Sequence, residues 1–227
     1  MLSKHSGKPE TILIVLVHGF FKSKRDMLFL ERGLTSLGYD TLSVNLPTTF
    51  GSIDTCKVSL KIQLSHLVQE YEKISFVAHS MGGLIVRSYI HSEKPNNIEK
   101  CIFIATPHKG SKLADIADII PVFSAIFKPI NALSTQNNST SIVIDPKIKI
   151  GLIAGTRNNL LTGKLFLSNQ SDGRVEISSV ETNDANELVL LPFGHKEIHH
   201  KNQTLMYVDS FLRTGHFQDY NESSVRN

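Results

Sequence analysis

Apolar and polar positions along this chain follow two periods. Six short apolar runs have the length and the β-branched content of strands that are buried on both faces, and the first of them reads TILIVLV. Between most of these runs, apolar residues recur three or four positions apart, which is the period of an amphipathic helix. The six runs lie at residues 11–17, 41–46, 74–78, 100–105, 148–154 and 187–191.

The alternation of strand and helix predicts a single α/β domain over residues 1–227. Strands that follow one another through helices form a mostly parallel sheet with right-handed crossovers, here of about six strands, with helices on both faces. One of these helices is predicted from the apolar residues between Leu60 and Tyr71. The polar tail at 221–227 is expected to be disordered.

One segment departs from this alternation. Residues 110–134 are dense in apolar side chains, and Pro121 and Pro129 divide them into short helices. This pattern predicts a small helical cap inserted between the fourth and fifth strands. Two interpretations stay open: the cap completes the core, or it offers apolar surface to a bound molecule.

The composition narrows the classes of function. The formal net charge of +3 is spread along the chain, and the short basic cluster of Lys22, Lys24 and Arg25 lacks the interleaved aromatic residues of a nucleic-acid platform. No run of apolar residues is long enough to predict a membrane span, and the polar first ten residues do not resemble a signal peptide. The two cysteines have no metal-ligand spacing and no disulfide framework is expected, so we expect a cytoplasmic protein.

The segment AHSMGG at residues 78–83 is the strongest chemical signal. It follows a predicted strand and opens a predicted helix, which is the context of a nucleophile elbow. Such a turn exposes the serine hydroxyl at the carboxyl end of the sheet, and small residues on either side, here Ala78 and Gly82, let the neighbouring backbone pass close by. We therefore predict that Ser80 is a nucleophile.

A serine nucleophile needs a base, and the base needs a carboxylate that orients it. On this type of sheet the acid precedes the histidine and both follow late strands. Asp172, in the turn SDGRV, and His195, directly after the sixth predicted strand, fit these positions. Asp184 and Glu176 are alternative acids, and His199 is the alternative base.

The loop after the first strand reads HGF at residues 18–20 and is the candidate oxyanion loop. Backbone N–H groups that face a developing oxyanion stabilise the transition state, and we predict that Phe20 and Met81 supply them. Gly19 would permit the strained loop, and His18 is expected to be structural. The alternative is a turn glycine beside a buried histidine.

A metal site is not expected. His195 and His199 are four residues apart and could share a helical face, but HKEIH matches neither zinc motif of this spacing, and no third ligand has a matching position.

These motifs together resemble the small bacterial lipases and esterases of the α/β-hydrolase superfamily. The resemblance is carried by LVHGF at 16–20, AHSMGG at 78–83, ATPHKGS at 105–111, SDGRV at 171–175, and GH at 194–195 followed by FLRTG at 211–215. It implies the α/β-hydrolase fold and a triad of Ser80, Asp172 and His195. It also implies that His108 supports the structure and is not the base.

The expected activity is hydrolysis of carboxylic esters through an acyl-enzyme, without a cofactor. Acyl transfer or thioester hydrolysis by the same triad stays open, as do a metal-dependent hydrolase and an inactive binding module of the same fold. The expected partner is a small-molecule or lipid ester, with transient contact to lipid surfaces and none to nucleic acid. The residues expected to contact the substrate are Phe21, Ile116, Ile120 and Phe123.

Overall fold

The computed structural model of the protein describes residues 11–110, 142, 144–158 and 170–218. Six strands within these residues form one sheet in the order β2-β1-β3-β4-β5-β6, and every neighbouring pair is parallel. The predicted α/β class and six-stranded sheet are confirmed. The strands are β1 (Ile12–Val17), β2 (Asp40–Val44), β3 (Lys73–His79), β4 (Ile98–Ile104), β5 (Lys149–Gly155) and β6 (Glu187–Leu191).

The helices pack on both faces of this sheet. The α-helices are α1 (Leu28–Ser36), α2 (Ile53–Leu64), α3 (Leu67–Glu70), α4 (Met81–Glu93), α5 (Ile177–Val180) and α6 (Asn202–Thr214). Two 3-10 helices lie at Lys24–Met27 and Ile198–His200. Among the described residues, no helix combines the length and the apolar character that crossing a membrane requires.

The side chains of β1 show why both faces are covered. Val15 and Val17 pack into a core with residues of α2 and α4, whereas Leu16 packs into a second core with residues of α1 and α6. Alternate residues of a strand point to opposite faces, so a continuous apolar run requires apolar partners on both sides. The run TILIVLV is therefore explained by the two helical layers.

One predicted helix is wrong in extent. The apolar pattern between Leu60 and Tyr71 predicts a single helix, but α2 ends at Leu64 and the short α3 begins at Leu67. The hydroxyl of Ser65 donates to the carbonyl of Ile62 at 2.9 Å, and such local bonds from serine compete with the helical ladder.

The predicted cap at 110–134 lies outside the described residues except for Gly110, and so does the tail at 221–227. What the described residues show is that the loops following β1, β3, β5 and β6 all leave from the carboxyl edge of the parallel sheet. In open α/β sheets this edge is where ligands bind.

Candidate active site

Ser80 occupies a strained turn between β3 and α4. Its φ and ψ are 54° and −128°, a region that residues with a side chain rarely adopt. The Ser80 N–H donates to the carbonyl of Ile104 at 2.9 Å, and the Gly83 N–H donates to the carbonyl of Ser80 at 3.0 Å. The turn is thus fixed from both sides, as expected for an elbow that presents its hydroxyl at the sheet edge.

Gly82 explains why a small residue must follow the elbow. A Cβ atom at this position would lie 2.6 Å from the carbonyl oxygen of Val17 and 2.7 Å from that of His18. Both atoms belong to backbone at the end of β1, which cannot move aside like a side chain. The first turn of α4 therefore passes directly against the loop predicted to carry the oxyanion donor.

His195 joins the hydroxyl of Ser80 to the carboxylate of Asp172. Its Nδ1 lies 2.7 Å from Asp172 Oδ2, and its Nε2 lies 3.0 Å from Ser80 Oγ. Because a carboxylate only accepts, the imidazole proton is on Nδ1, and the lone pair of Nε2 accepts from the serine hydroxyl. The residues Ser80, Asp172 and His195 are 8%, 2% and 7% exposed, so water competes little for these bonds.

The carboxylate of Asp172, the predicted acid, is held in place by backbone donors. The second carboxylate oxygen of Asp172, Oδ1, accepts from the N–H groups of Arg174 at 2.9 Å and Val175 at 2.8 Å. Gly173 turns the chain with a φ of 90°. The backbone carbonyl of Asp172 accepts from the His195 N–H at 3.0 Å, so these two residues are joined through backbone as well as side chain.

The alternative acids and the alternative base are positioned differently. Asp184 forms an ion pair with Arg87 in which its two carboxylate oxygens accept at 2.7 and 2.9 Å. Burial alone would raise the pKa of Asp184, but the hydrogen bonds and charge of Arg87 lower it to about 2. Glu176 precedes α5 as its N-terminal flanking residue. His199 Nε2 lies 3.0 Å from Asp26 Oδ2, so His199 is hydrogen-bonded to Asp26.

The predicted oxyanion loop lies against the elbow. A Cβ atom on Gly19 would be 3.0 Å from the Cβ of Ser80. His18 fixes the loop from behind, since its Nε2 accepts from the Leu46 N–H at 3.0 Å and its Nδ1 donates to the carbonyl of Gly19 at 3.0 Å. Burial lowers the pKa of His18, so it stays neutral and keeps this pair of bonds. Phe20 and Met81 are the next residues after Gly19 and Ser80 along the chain.

Phe21 lies at the rim of this region. Its ring is 61% exposed, its φ is 56°, and it borders an open depression together with Lys22, Asp26 and His200. The other predicted substrate contacts, Ile116, Ile120 and Phe123, lie outside the described residues. His108 is buried and packs edge-on against the ring of Phe103, with 5.1 Å between the ring centres.

One group of side chains could be taken for a metal site. The ligand atoms of Asp26, His79 and His199 lie within 4.8 Å of one another. However, the rings of His79 and His199 stack face to face, with centres 3.8 Å apart and planes inclined by 23°. A nitrogen lone pair lies in the plane of its ring, so the lone pairs of two stacked rings do not converge on one ion. Sequence reasoning missed this group, although His79 and His199 were visible as histidines near the elbow and the base.

Solved structures with the same fold include a lipase and a carboxyl esterase. The mature form of Bacillus licheniformis lipase BlEst2 aligns with a TM-score of 0.75 and 20% identity, over 91% of this chain and 92% of that one. The metagenomic carboxyl esterase MGS0156 aligns with a TM-score of 0.66 and 14% identity, over 85% of this chain and 69% of that one. At these identities the likeness concerns the fold, which confirms the predicted α/β-hydrolase fold.

A curated relative is more similar in sequence over a shorter region. Triacylglycerol lipase 2 of Saccharomyces cerevisiae is 33% identical over an alignment of 105 residues, which covers 42% of this chain and 32% of the yeast protein. The chain therefore spans about a third of the length of this relative. Residues 8–132, which are 125 of the 227 residues, match the family described as "Putative serine esterase (DUF676)", and the chain belongs to this family.

Proposed function

We propose that this protein hydrolyses carboxylic esters through an acyl-enzyme on Ser80. The observation that carries the proposal is the hydrogen-bonded chain from Ser80 Oγ through His195 to Asp172. In this arrangement the lone pair of His195 Nε2 faces the serine proton, and Nδ1–H faces a carboxylate that stabilises the imidazolium formed when the proton moves. Membership of a serine esterase family supports the same chemistry.

The reaction takes place in two halves. Ser80 Oγ attacks the ester carbonyl carbon while its proton passes to His195 Nε2, and the N–H groups of Phe20 and Met81 donate to the resulting oxyanion. The intermediate collapses, the C–O bond of the ester breaks, and the leaving alcohol takes the proton from His195. Water, deprotonated by His195, then attacks the acyl-enzyme, and the carboxylic acid leaves as the Ser80 hydroxyl is restored.

The substrate class proposed is an ester with an apolar acyl part. The exposed side chain of Phe21, directly after the predicted oxyanion loop, supports this, and so do the named activities of the yeast and Bacillus relatives, both lipases. We propose that Phe21, with Ile116, Ile120 and Phe123, contacts the acyl chain. Thioesters, or an alcohol as acceptor in place of water, would use the same triad.

The test is hydrolysis of p-nitrophenyl esters of short, medium and long acyl chains by the wild type and by Ser80→Ala. We expect Ser80→Ala to lower kcat by about 10⁴-fold or more, because removal of the nucleophile abolishes the acyl-enzyme route. Ser75→Ala is the matched control, because Ser75 is a buried serine of β3, five residues earlier, and among the described residues it forms no hydrogen bond with His195 or Asp172. It should retain wild-type kcat.

Labelling by a fluorophosphonate separates the remaining outcomes. A wild type that is labelled at Ser80 but hydrolyses no ester would indicate a working nucleophile and a different acyl substrate, to be sought among thioesters and amides. A wild type that is neither labelled nor active would contradict the proposal and favour the binding module.

A further inference from the structure

The side chains of the partly buried Asp26 and the buried His79 and His199 adjoin the triad without belonging to it, and we call them the Asp26 cluster. Asp26 lies in the 3-10 helix before α1, His79 ends β3, and His199 lies in the 3-10 helix before α6. His79 and His199 are 3% and 1% exposed. The mechanism above gives these residues no task, although buried titratable groups are costly unless they are used or well paired.

His79 connects the cluster to the base. Its Nε2 lies 3.1 Å from the backbone carbonyl oxygen of His195, and because a carbonyl only accepts, Nε2 carries the proton and donates. The other ring nitrogen, Nδ1, is buried, has no hydrogen-bond partner among the described residues, and lies 4.0 Å from Asp26 Oδ2. The ring of His79 is therefore oriented with its donor toward the loop that carries the base.

His199 and Asp26 support this orientation from the far side. The Nε2–H of His199 donates to Asp26 Oδ2 at 3.0 Å, and the His199 ring stacks on the ring of His79. Burial alone would raise the pKa of Asp26, but this hydrogen bond and the ammonium of Lys22, whose Nζ lies 3.1 Å from Asp26 Oδ1, lower it. The carboxylate therefore stays ionised and accepts hydrogen bonds. The ring of His79 is thus packed against a neighbour that is itself held by a charge-assisted bond.

The backbone of His195 is held at both of its polar groups. Its N–H donates to the carbonyl of Asp172 at 3.0 Å, and its carbonyl accepts from His79, the residue next to Ser80. One bond therefore ties the base to the acid loop, and the other ties it to the backbone of the elbow. A shift of about 1 Å in a reacting group can lower the rate about 10²-fold, so a hydrogen bond that fixes the position of His195 affects the rate.

We propose that Asp26, His199 and His79 are positioning residues that align the His195 imidazole with Ser80 through the bond from His79 to the His195 carbonyl. This inference rests on the proposed esterase function. It explains why His79 must be uncharged: its ring centre is 5.0 Å from that of His195, and a cation there would oppose the imidazolium that forms during the reaction. Burial, followed by the neighbouring His199 and His195, lowers the pKa of His79 well below the usual histidine range.

The test compares His79→Leu with His79→Gln in p-nitrophenyl ester hydrolysis. Leucine removes the donor, and we expect kcat to fall about tenfold with KM changed by less than about twofold, because the bond affects alignment and not substrate binding. The side-chain amide of glutamine can place an N–H where the imidazole Nε2–H was, and we expect it to restore kcat to within about threefold of wild type. Thermal midpoints of both variants are measured beside the kinetics.

A purely structural role would give a different pattern, in which both variants lose thermal stability and the folded fraction keeps wild-type kcat. If His79→Leu does not fold, Asp26→Ala replaces it, since it removes the support of the stack without touching His195. We expect it to lower kcat about threefold with KM unchanged, and an unchanged kcat in this variant would overturn the proposal.

Other outcomes are equally decisive. Equal losses of kcat in His79→Leu and His79→Gln would show that the donated hydrogen bond is not the cause, and would overturn the proposal. Loss of wild-type activity with EDTA and its recovery with Zn²⁺ would assign the cluster to a metal instead. A wild type that is inactive and unlabelled by a fluorophosphonate refutes the esterase function itself, which is a separate failure.

Discussion

Replacement of Asp172 by asparagine should disable the base by reversing its tautomer. In the native site Asp172 Oδ1 accepts from two backbone N–H groups, those of Arg174 and Val175, and Oδ2 accepts from His195. An asparagine has only one acceptor atom. The two backbone donors at 2.8 and 2.9 Å require it on their side, so the amide NH₂ must face His195 Nδ1.

This orientation forces the proton of His195 onto Nε2. The nitrogen that faces Ser80 at 3.0 Å then donates and no longer accepts, so it cannot take the serine proton. The same substitution in a serine protease triad costs about 10⁴-fold in kcat, which corresponds to about 5.5 kcal/mol of transition-state stabilisation. We expect a similar loss here, because the two backbone donors leave the amide no alternative orientation.

The loss should concern activity and not folding. Both backbone donors keep an acceptor in Asp172→Asn, so we expect the free energy of unfolding to change by about 1 kcal/mol or less. The assay is kcat for a p-nitrophenyl ester, with urea unfolding followed in parallel. Glu176→Gln, which alters the neighbouring alternative acid, is the matched control and should stay within about twofold of wild type.

The prediction would be refuted if Asp172→Asn retained more than about one hundredth of wild-type kcat while folding normally. Such a result would mean that the amide rotates freely, or that the carboxylate does not set the tautomer of His195. A large loss in the control Glu176→Gln would assign the acid to Glu176 and contradict the triad as proposed.

Three further predictions concern the scaffold. Gly82→Ala should lower the free energy of unfolding by about 3 kcal/mol in urea titrations, since its Cβ would meet the carbonyl oxygen of Val17 at 2.6 Å. Asp184→Ala should lower the free energy of unfolding by about 3–5 kcal/mol near neutral pH, because the buried guanidinium of Arg87 is left without a counter-ion. The pKa of Asp184 is lowered to about 2. The stability that the ion pair contributes above the ordinary carboxyl pKa is therefore lost as the pH falls through about 2, and the free energies of unfolding of the mutant and the wild type should converge at that pH. Cys56 and Cys101 should resist thiol reagents until the protein unfolds, because burial raises the pKa of these thiols to about 11 and about 12.

The sheet and the elbow could be predicted because their determinants are local. A continuous β-branched run such as that of β1 has few alternatives to a doubly covered strand, and AHSMGG specifies a tight turn in six residues. The closeness of Asp172 and His195 to Ser80 could be expected for another reason. The loops that follow parallel strands lie at one edge of the sheet, so residues directly after late strands were expected near the elbow.

The remaining features depend on contacts that local sequence does not encode. The hydrogen bond between Asp26 and His199 joins residues 173 positions apart, and the sequence around either residue does not indicate the other as its partner. At the break between α2 and α3, the hydroxyl of Ser65 donates to the carbonyl of Ile62. The spacing of apolar residues does not reveal this bond. Phe21 was expected to contact the substrate, and its exposure and positive φ become visible only in the structure.

What distinguishes the proposed base, His195, from two other buried histidines is its pair of partners. In His18 the acceptor nitrogen faces the backbone N–H of Leu46, and in His79 the donor nitrogen faces a backbone carbonyl. Only in His195, of these three, does the acceptor nitrogen face a hydroxyl while the donor nitrogen faces a carboxylate. Burial makes a histidine neutral, but it becomes a base when a carboxylate fixes its tautomer and a hydroxyl lies at its lone pair. His79 and His195 differ in these partners and are joined by a hydrogen bond, so the same imidazole chemistry serves as a structural donor at one residue and as the proposed proton acceptor at the other.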